Sequence, residues 1–194
     1  MDATDHLRDS LAAAVALGNQ FGAQWSRGRP QSAGDIESVE AVLRLSSKLS
    51  QLVDDDALAE FQAGGARLYA ALALLADGFV DASAGRLNEL LEATRAAPRL
   101  TRPSPPTDLS QVGEAPWHLH FAASGVSLAN GWLAEFATAA AMLLGSSEYE
   151  LLKRCGAERC DLLFLDATRN HTQRFCSTPC QNRTKVAAFR ARES

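Results

Sequence analysis

Residues 155–180, "CGAERCDLLFLDATRNHTQRFCSTPC", contain all four cysteines of this 194-residue chain. Four residues separate Cys155 from Cys160, three separate Cys176 from Cys180, and fifteen lie between the pairs. Each short pair forms a turn that brings two sulfurs to one ion, and Zn²⁺ accepts four thiolates tetrahedrally. The spacing therefore predicts one zinc ion bound by the four cysteines, with two labile disulfides or four incidental thiols as the alternatives.

A zinc ion with four thiolate ligands has no open coordination position, so we expect a structural metal rather than a catalytic one. Residues 151–194 are too few to build much of a core without it. Binding of such an ion supplies about 10 kcal/mol or more towards folding. The metal is thus expected to organise this end of the chain.

The segment between the cysteine pairs predicts a hairpin. Gly156 eases the turn of a first knuckle, and residues 161–175 read as a strand, a turn around Arg169–Asn170 and a second short strand. Knuckle, hairpin and a following helix together make a treble-clef-like four-cysteine finger.

A helix is predicted to begin at the second pair. Ser177 is a suitable cap and Pro179 suits the first turn, so that Cys180 projects from that turn. Further along, Val186 and Phe189 lie three residues apart and are expected to pack on the apolar residues 163–165 of the hairpin.

The preceding 150 residues predict a mainly helical domain with a small β element. Asp35 and Asp81 are candidate N-caps, and Gly64–Gly65 is expected to weaken the third helix in its middle. Residues 25–34 read as a loop, residues 98–116 read as a loop or a loose hairpin, and residues 117–121 alternate like a strand. The predicted helices cover about residues 5–22, 35–49, 56–75, 81–94 and 127–144, with a short helix capped by Ser147 and Glu150 leading to Cys155.

Charge divides the chain at the same place. The net charge is −9 for residues 1–150, which are expected to be a helical effector or dimerisation body, and +5 for residues 151–194, the finger. No apolar run is long enough to span a bilayer, and the start "MDATDHLRDS" lacks the basic region of a secretory signal. We therefore expect a cytoplasmic protein, a setting in which paired cysteines favour metal over structural disulfides.

Basic side chains on the finger indicate a nucleic-acid partner, since guanidinium groups read phosphates and guanine edges. A solvated helix face on a protein-docking module is the alternative. Arg183 in particular either contacts DNA or neutralises the thiolates and donates to carbonyls beneath the knuckle. The predicted nucleic-acid-binding residues are Arg169, Arg174, Arg183, Lys185, Arg190 and Arg192.

The pattern of cysteines with "LFLDATRN", "RFCS" and "RAR" resembles the CGNR-type zinc finger of bacterial proteins. Stretches such as "ARLYAALALLADG" and "AMLLGSSEYELLKRC" are similar to the ABATE domain that precedes it in stress-induced transcription regulators. The resemblance implies a mainly helical N-terminal domain, zinc bound by the four cysteines, and DNA binding. Two departures are Gln181, where the family has Gly, and a gap of Ser177–Pro179 that is one residue shorter than usual.

Other candidate sites have simpler interpretations. His118 and His120 share one face of a strand, but no third ligand lies nearby in sequence. His171 lies between the cysteine pairs, yet four thiolates already satisfy the ion. Residues 54–56, "DDD", suit the positive end of a helix. The chain has no phosphate loop, dinucleotide glycine pattern or nucleophile elbow, and we expect no enzyme activity.

Three functions remain open at this point. The first is a zinc-finger transcription regulator that binds double-stranded DNA, with a possible homodimer and a small-molecule effector enclosed near Trp25, Trp117 and Trp132. Core packing is the alternative role of these tryptophans. The second function is an adaptor that docks an acidic protein, and the third is a redox sensor that releases zinc on oxidation.

Overall fold

The computed structural model describes residues 3–46, 52–101 and 117–193, with side chains from residue 7 onward. The predicted end of the second helix, at 47–49, and most of the predicted loop, at 102–116, lie outside these residues. In the described part the helices are α1 (Ala3–Gly22), α2 (Ile36–Ser46), α3 (Asp55–Ala76), α4 (Val80–Ala93), α5 (Leu128–Leu144) and α6 (Thr178–Glu193). The predicted mainly helical class, with a four-cysteine cluster at the carboxyl end, is confirmed.

Helix α3 is the centre of the body and packs against α1, α4 and α5. Its fully buried Phe61, Leu68 and Leu72 meet Phe136 of α5 in one apolar core. Helix α3 runs unbroken through Gly64–Gly65, so the predicted weakening does not interrupt it. A Cβ at Gly64 would lie 2.2 Å from the Leu133 side chain, and one at Gly65 would lie 2.8 Å from Phe21. The two glycines let α5 and α1 approach α3 closely.

Helix α3 begins at Asp55, close to the predicted start at about Asp56. Asp54 caps it, since its carboxylate accepts a hydrogen bond from the Ala57 N–H at 2.8 Å. One predicted cap, Asp81, needs correction. Helix α4 begins after Phe79, so that Asp81 lies inside the first turn, where its charge still suits the helix dipole. Asp35 does precede α2 as predicted, and it exchanges hydrogen bonds with Ser38.

Among the described residues, three antiparallel pairs of short strands complete the fold. Strands β1 (Trp25–Ser26) and β2 (Arg29–Pro30) form a hairpin within the predicted loop, and β3 (Arg99–Thr101) pairs with β4 (His118–His120). Strand β5 (Leu152–Arg154) pairs with β6 (Leu163–Leu165).

The chain between α5 and the finger differs from the prediction. The predicted short helix is present as a single 3₁₀ turn at Tyr149–Leu151 that leads directly into β5, but Glu148 precedes it and no side chain caps it, so the predicted capping box of Ser147 and Glu150 is wrong. The predicted hairpin within 161–175 is also wrong, because β6 pairs with β5 and residues 166–177 contain no strand.

The finger lies against the body. Strands β5 and β6 contact α3 and α1, and Leu152 and Leu163 are buried in the same core as Phe61. The division into residues 1–150 and 151–194 stays a prediction. Within the described residues, no helix combines the length and the apolar character that crossing a membrane requires.

Candidate metal centre

The first cysteine pair lies in the loop that joins β5 to β6. The Cys155 N–H donates to the Leu162 carbonyl at 2.9 Å, which extends the pairing of the two strands into the loop. Arg159 then adopts a left-handed conformation, with φ of 52°. This turn sends the chain back so that Cys160 is buried beside Cys155.

The second pair is brought to the first by a contact across the loop. The Gly156 N–H donates to the Arg174 carbonyl at 2.9 Å, and a Cβ at Gly156 would come within 3.2 Å of that oxygen. Cys176 follows directly, and α6 begins at Thr178 as the sequence predicts. Cys180, in the first turn of α6, is fully buried.

The spacing of the sulfurs fits one tetrahedral ion. All four Sγ atoms lie within 4.8 Å of one another. Cys160 is 3.7 Å from Cys180, and Cys176 is 3.8 Å from both. Zinc–sulfur bonds of about 2.3 Å in a tetrahedron place neighbouring sulfurs about 3.8 Å apart. The four cysteines are free thiols and form a single structural zinc site, as predicted.

Hydrogen bonds to sulfur surround the site. The backbone N–H of Cys176 points to the Cys155 Sγ, and that of Arg27 to the Cys160 Sγ, each at 3.4 Å. Arg183 Nη2 lies 3.9 Å from the Cys180 Sγ and donates to the Glu158 carbonyl at 2.7 Å. Arg183 therefore makes the contacts expected if it neutralises the thiolates and donates to a carbonyl of the knuckle.

The metal-free thiols would not all ionise together. Burial raises the pKa of Cys155 and of Cys176, and the neighbouring sulfurs raise that of Cys176 further. Burial also opposes ionisation of Cys160, but the N–H groups of Arg27 and Leu162 outweigh it and lower the pKa of this thiol. A divalent cation offsets the repulsion among four thiolates, which is the chemistry that zinc supplies here.

A buried carboxylate supports the loop behind the zinc site. Asp166, which is 1% exposed, accepts hydrogen bonds from Lys153 Nζ at 2.7 Å and from the N–H groups of Thr168 and Gln173 at 2.9 Å each. Burial opposes its ionisation, but the bonds from Lys153, Thr168 and Gln173 prevail and hold the pKa of Asp166 well below its usual value. The sequence analysis missed this residue, although Asp followed two residues later by Thr is a turn signal.

The body holds the finger through several polar contacts that no local sequence signal predicts. Asn19 of α1 donates to the Leu163 carbonyl at 2.9 Å and accepts from its N–H at 2.8 Å. The Tyr69 hydroxyl donates to the Asp161 carbonyl at 2.8 Å, and the Asp161 carboxylate accepts from the Trp25 N–H at 2.9 Å. The finger is therefore fixed against α1, α3 and the β1–β2 hairpin.

The predicted nucleic-acid-binding residues fall into three places. Arg169 and Arg174 are exposed on the segment between β6 and α6, and Arg183 is half-buried beside the zinc site. Lys185, Arg190 and Arg192 are exposed further along α6.

The predicted packing of Val186 and Phe189 on the hairpin is wrong. They are 48% and 60% exposed, because α6 leaves the finger after its first turns and Cys180 is its only buried residue. The apolar residues of the hairpin pack instead on the body and around the cysteines.

The histidines are placed as the simpler interpretation predicts. His118 and His120 lie on β4, and His120 Nδ1 is 3.2 Å from Glu135, which also accepts from the Phe121 N–H. Among the described residues, only the four cysteines group closely enough to bind a metal ion. Residues 54–56 begin α3, as expected.

The comparison with protein families agrees with this geometry. The family model of the CGNR zinc finger matches residues 152–193, which run from the first residue of β5 to the last residue of α6. Among curated proteins, none matches the chain. Residues 152–193 thus form a zinc-binding finger similar to the CGNR family.

Proposed function

We propose that this protein is a DNA-binding transcription regulator whose helix α6 enters the major groove. The observation that carries the proposal is the exposure of α6. The helix has 16 residues, of which Cys180 alone is buried, and it carries four basic residues and one acidic residue. It extends for about 24 Å, and its length beyond the zinc site is open to a partner.

The side chains of α6 form a crest with two basic flanks. Positions advance by about 100° per residue along an α-helix, so Asn182, Val186 and Phe189 lie opposite the buried Cys180. These three residues form the crest. Counted in the same way, Arg183 and Arg190 lie on one flank of the crest, and Lys185 and Arg192 lie on the other.

This arrangement matches the major groove of B-DNA. The groove is about 12 Å wide and admits an α-helix, and apolar side chains contact the methyl group of thymine there while Asn pairs with adenine. The two flanks then face the two phosphate backbones. Phosphate contacts give affinity and position, and the crest gives sequence preference.

Zinc has a structural role in this proposal. The four thiolates leave no coordination position for a substrate, which supports a non-enzymatic protein. The ion instead fixes the first turn of α6 through Cys180, and it holds the direction in which the helix leaves the body. With zinc and four thiolates included, the finger keeps a net charge of about +3.

We propose the helical body as an ABATE-type effector or dimerisation domain that acts in the cytoplasm. Its resemblance to stress-induced regulators supports a stress-response role, and a homodimer would extend the short DNA site that one helix covers. The effector site near the three tryptophans stays a prediction. Trp25 lies under Arg159, Trp132 packs near Phe136 with ring centroids 5.6 Å apart, and Trp117 is 58% exposed.

The test is binding of zinc-loaded protein to a pool of random-sequence duplexes, with sequencing of the bound fraction and a salt titration of affinity. We expect Lys185→Gln/Arg192→Gln to weaken binding and to reduce the slope of log affinity against log salt by about two. Arg44→Gln/Arg86→Gln, which removes two exposed helical cations from the body, is the matched control and should leave the slope unchanged. A wild-type protein that binds no duplex contradicts the proposal.

The exposed Phe189 favours one other candidate, an adaptor that docks a protein. An apolar crest on a helix also suits a hydrophobic groove. Phe189→Ala distinguishes the two functions. If the protein is a regulator, Phe189→Ala changes which duplex sequences are selected and leaves the salt slope unchanged. If it is an adaptor, neither the wild type nor the variant binds duplex DNA. The redox-sensor alternative predicts zinc loss with mild peroxide, starting at Cys176, the most accessible ligand.

A further inference from the structure

The β1–β2 hairpin of the body reaches the zinc site with its tip. Arg27 and Gly28 both have positive φ, 53° and 91°, as a two-residue hairpin turn requires. The Gly28 N–H donates to the Arg159 carbonyl at 2.8 Å, next to the Arg27 N–H that points to the Cys160 sulfur. A Cβ at Gly28 would lie 1.7 Å from Arg183 Nη1, so glycine lets the tip fit between the knuckle and α6.

Four arginines meet at this junction. Arg27 and Arg29 flank Gly28 and are exposed, Arg159 is exposed on the knuckle, and Arg183 begins one flank of α6. Within the described residues, neither Arg27 nor Arg29 forms a salt bridge or a side-chain hydrogen bond. An open groove of about 350 Å³ runs along the junction, lined by Gly28, Glu158, Arg159, Arg183, Thr184 and Ala187.

The charge of the hairpin is opposite to that of the rest of the body. Residues 10–34 contain no Asp or Glu, although residues 1–150 together carry a net charge of −9. Glu158 is the only acidic residue that lines the groove. Arg159 and Arg183 also line the groove, and Arg27 and Arg29 lie beside Gly28 on the hairpin tip. This excess of guanidinium groups attracts a polyanion.

From this placement we infer that Arg27 and Arg29 bind the phosphate backbone of the duplex whose major groove receives α6. The inference rests on the proposed function and extends the DNA interface from the finger onto the body. A helix in the major groove has a phosphate backbone along each side. The hairpin tip adjoins the Arg183 side of α6, so its arginines face the backbone on that side. The contacts position the protein and carry no sequence preference.

The experiment measures the salt dependence of duplex affinity for Arg27→Asn/Arg29→Gln with zinc bound. Asn is chosen at position 27 because it tolerates positive φ. The matched control is Arg95→Asn/Arg99→Gln, since Arg95 also has φ of 53° and Arg99 is an exposed strand residue. We expect the hairpin variant to lower the salt slope by about two and the affinity at 0.1 M salt by about tenfold or more. The control should behave as wild type.

The outcomes separate this inference from the proposed function. If the hairpin variant keeps the wild-type salt slope while the slope of Lys185→Gln/Arg192→Gln falls by about two, the hairpin does not contact DNA and the inference is overturned. An acidic protein bound by the hairpin would give that same unchanged slope. If Arg27→Asn/Arg29→Gln loses zinc, the single variant Arg29→Gln tests the inference instead. We expect its salt slope to be lower by about one than that of wild type, and an unchanged slope would contradict the inference. Absence of wild-type binding overturns both proposals.

Discussion

The body and the finger are built from different kinds of buried side chain. The body encloses a continuous apolar core from α1, α3, α4 and α5, with Phe61 and Phe136 fully buried. The separate cluster inside the finger has five buried members, three of which are cysteines. Burial of apolar area, at about 25 cal/mol per Å², is enough to account for the stability of the body's core. The stability of the small cluster in the finger depends on metal binding.

The dependence between the two regions runs in one direction. The finger places Leu152 and Leu163 in the core of the body, and Asn19 satisfies the backbone of its β6 strand. Apart from Leu152 and Leu163, the buried residues of that core come from the body itself. We therefore expect the finger to need both zinc and the body, and the helices of the body to need neither the metal nor α6.

Removal of zinc should give the largest effect and tests this asymmetry. A chelator removes the ion, and Cys180→Ser removes one of its four ligands. Zinc binding supplies about 10 kcal/mol or more towards folding, so we expect the 155–177 loop and α6 to unfold while α1–α5 stay helical. Hydrogen exchange resolved along the chain, measured together with zinc content, checks the result. Ser127→Ala, which removes the exposed N-cap side chain of α5, should keep full zinc content. Loss of all helical signal without zinc would contradict the one-way dependence.

A cavity in the body should destabilise the whole chain without changing the metal site. Phe136→Ala is expected to lower the free energy of unfolding by about 3–5 kcal/mol, because the side chain is fully buried. Zinc content of the folded protein should be unchanged. Phe189→Ala is the matched control, since that phenylalanine is 60% exposed and its loss should hardly change the denaturation midpoint. Equal effects of the two variants would refute the assigned core.

The junction can be weakened by itself. Asn19→Ala leaves the Leu163 N–H and carbonyl without their side-chain partner, at a cost of about 1–3 kcal/mol. We expect faster amide exchange in β6 and an earlier thermal transition of the finger, with α4 unaffected. Asn182→Ala, on the exposed side of α6, is the control. Unchanged exchange in β6 would show that the junction does not stabilise the finger.

The smallest effect is expected at Tyr69, whose hydroxyl donates to Asp161 and lies 3.0 Å from Arg154. Tyr69→Phe should cost about 1 kcal/mol. Burial raises the pKa of Tyr69 in the folded protein. The stabilisation is therefore complete below the unfolded pKa of about 10 and is lost as pH rises through the folded value. The stability difference between wild type and variant should narrow above about pH 10, and a constant difference would argue against a buried hydroxyl.

What the sequence predicts here depends on how local the cause is. The zinc ligands follow from two short cysteine spacings, and the helices of the body follow from apolar periodicity. The partner of β6 is not the one that the sequence predicts. Strand β5 precedes the first cysteine, so the β5–β6 pair encloses the Cys155–Cys160 knuckle instead of following it. The Val186 and Phe189 spacing suits a buried or an exposed face equally. Arg27 and Asn19 act on residues more than a hundred positions away, and no local pattern marks such contacts.

The most direct test of the account is X-ray absorption spectroscopy at the zinc edge on freshly purified protein, combined with elemental analysis. The account predicts one zinc per chain, with four sulfur ligands at about 2.3 Å. A protein with a folded α6 and no stoichiometric metal would contradict it, and so would a zinc ion bound by fewer than four sulfurs.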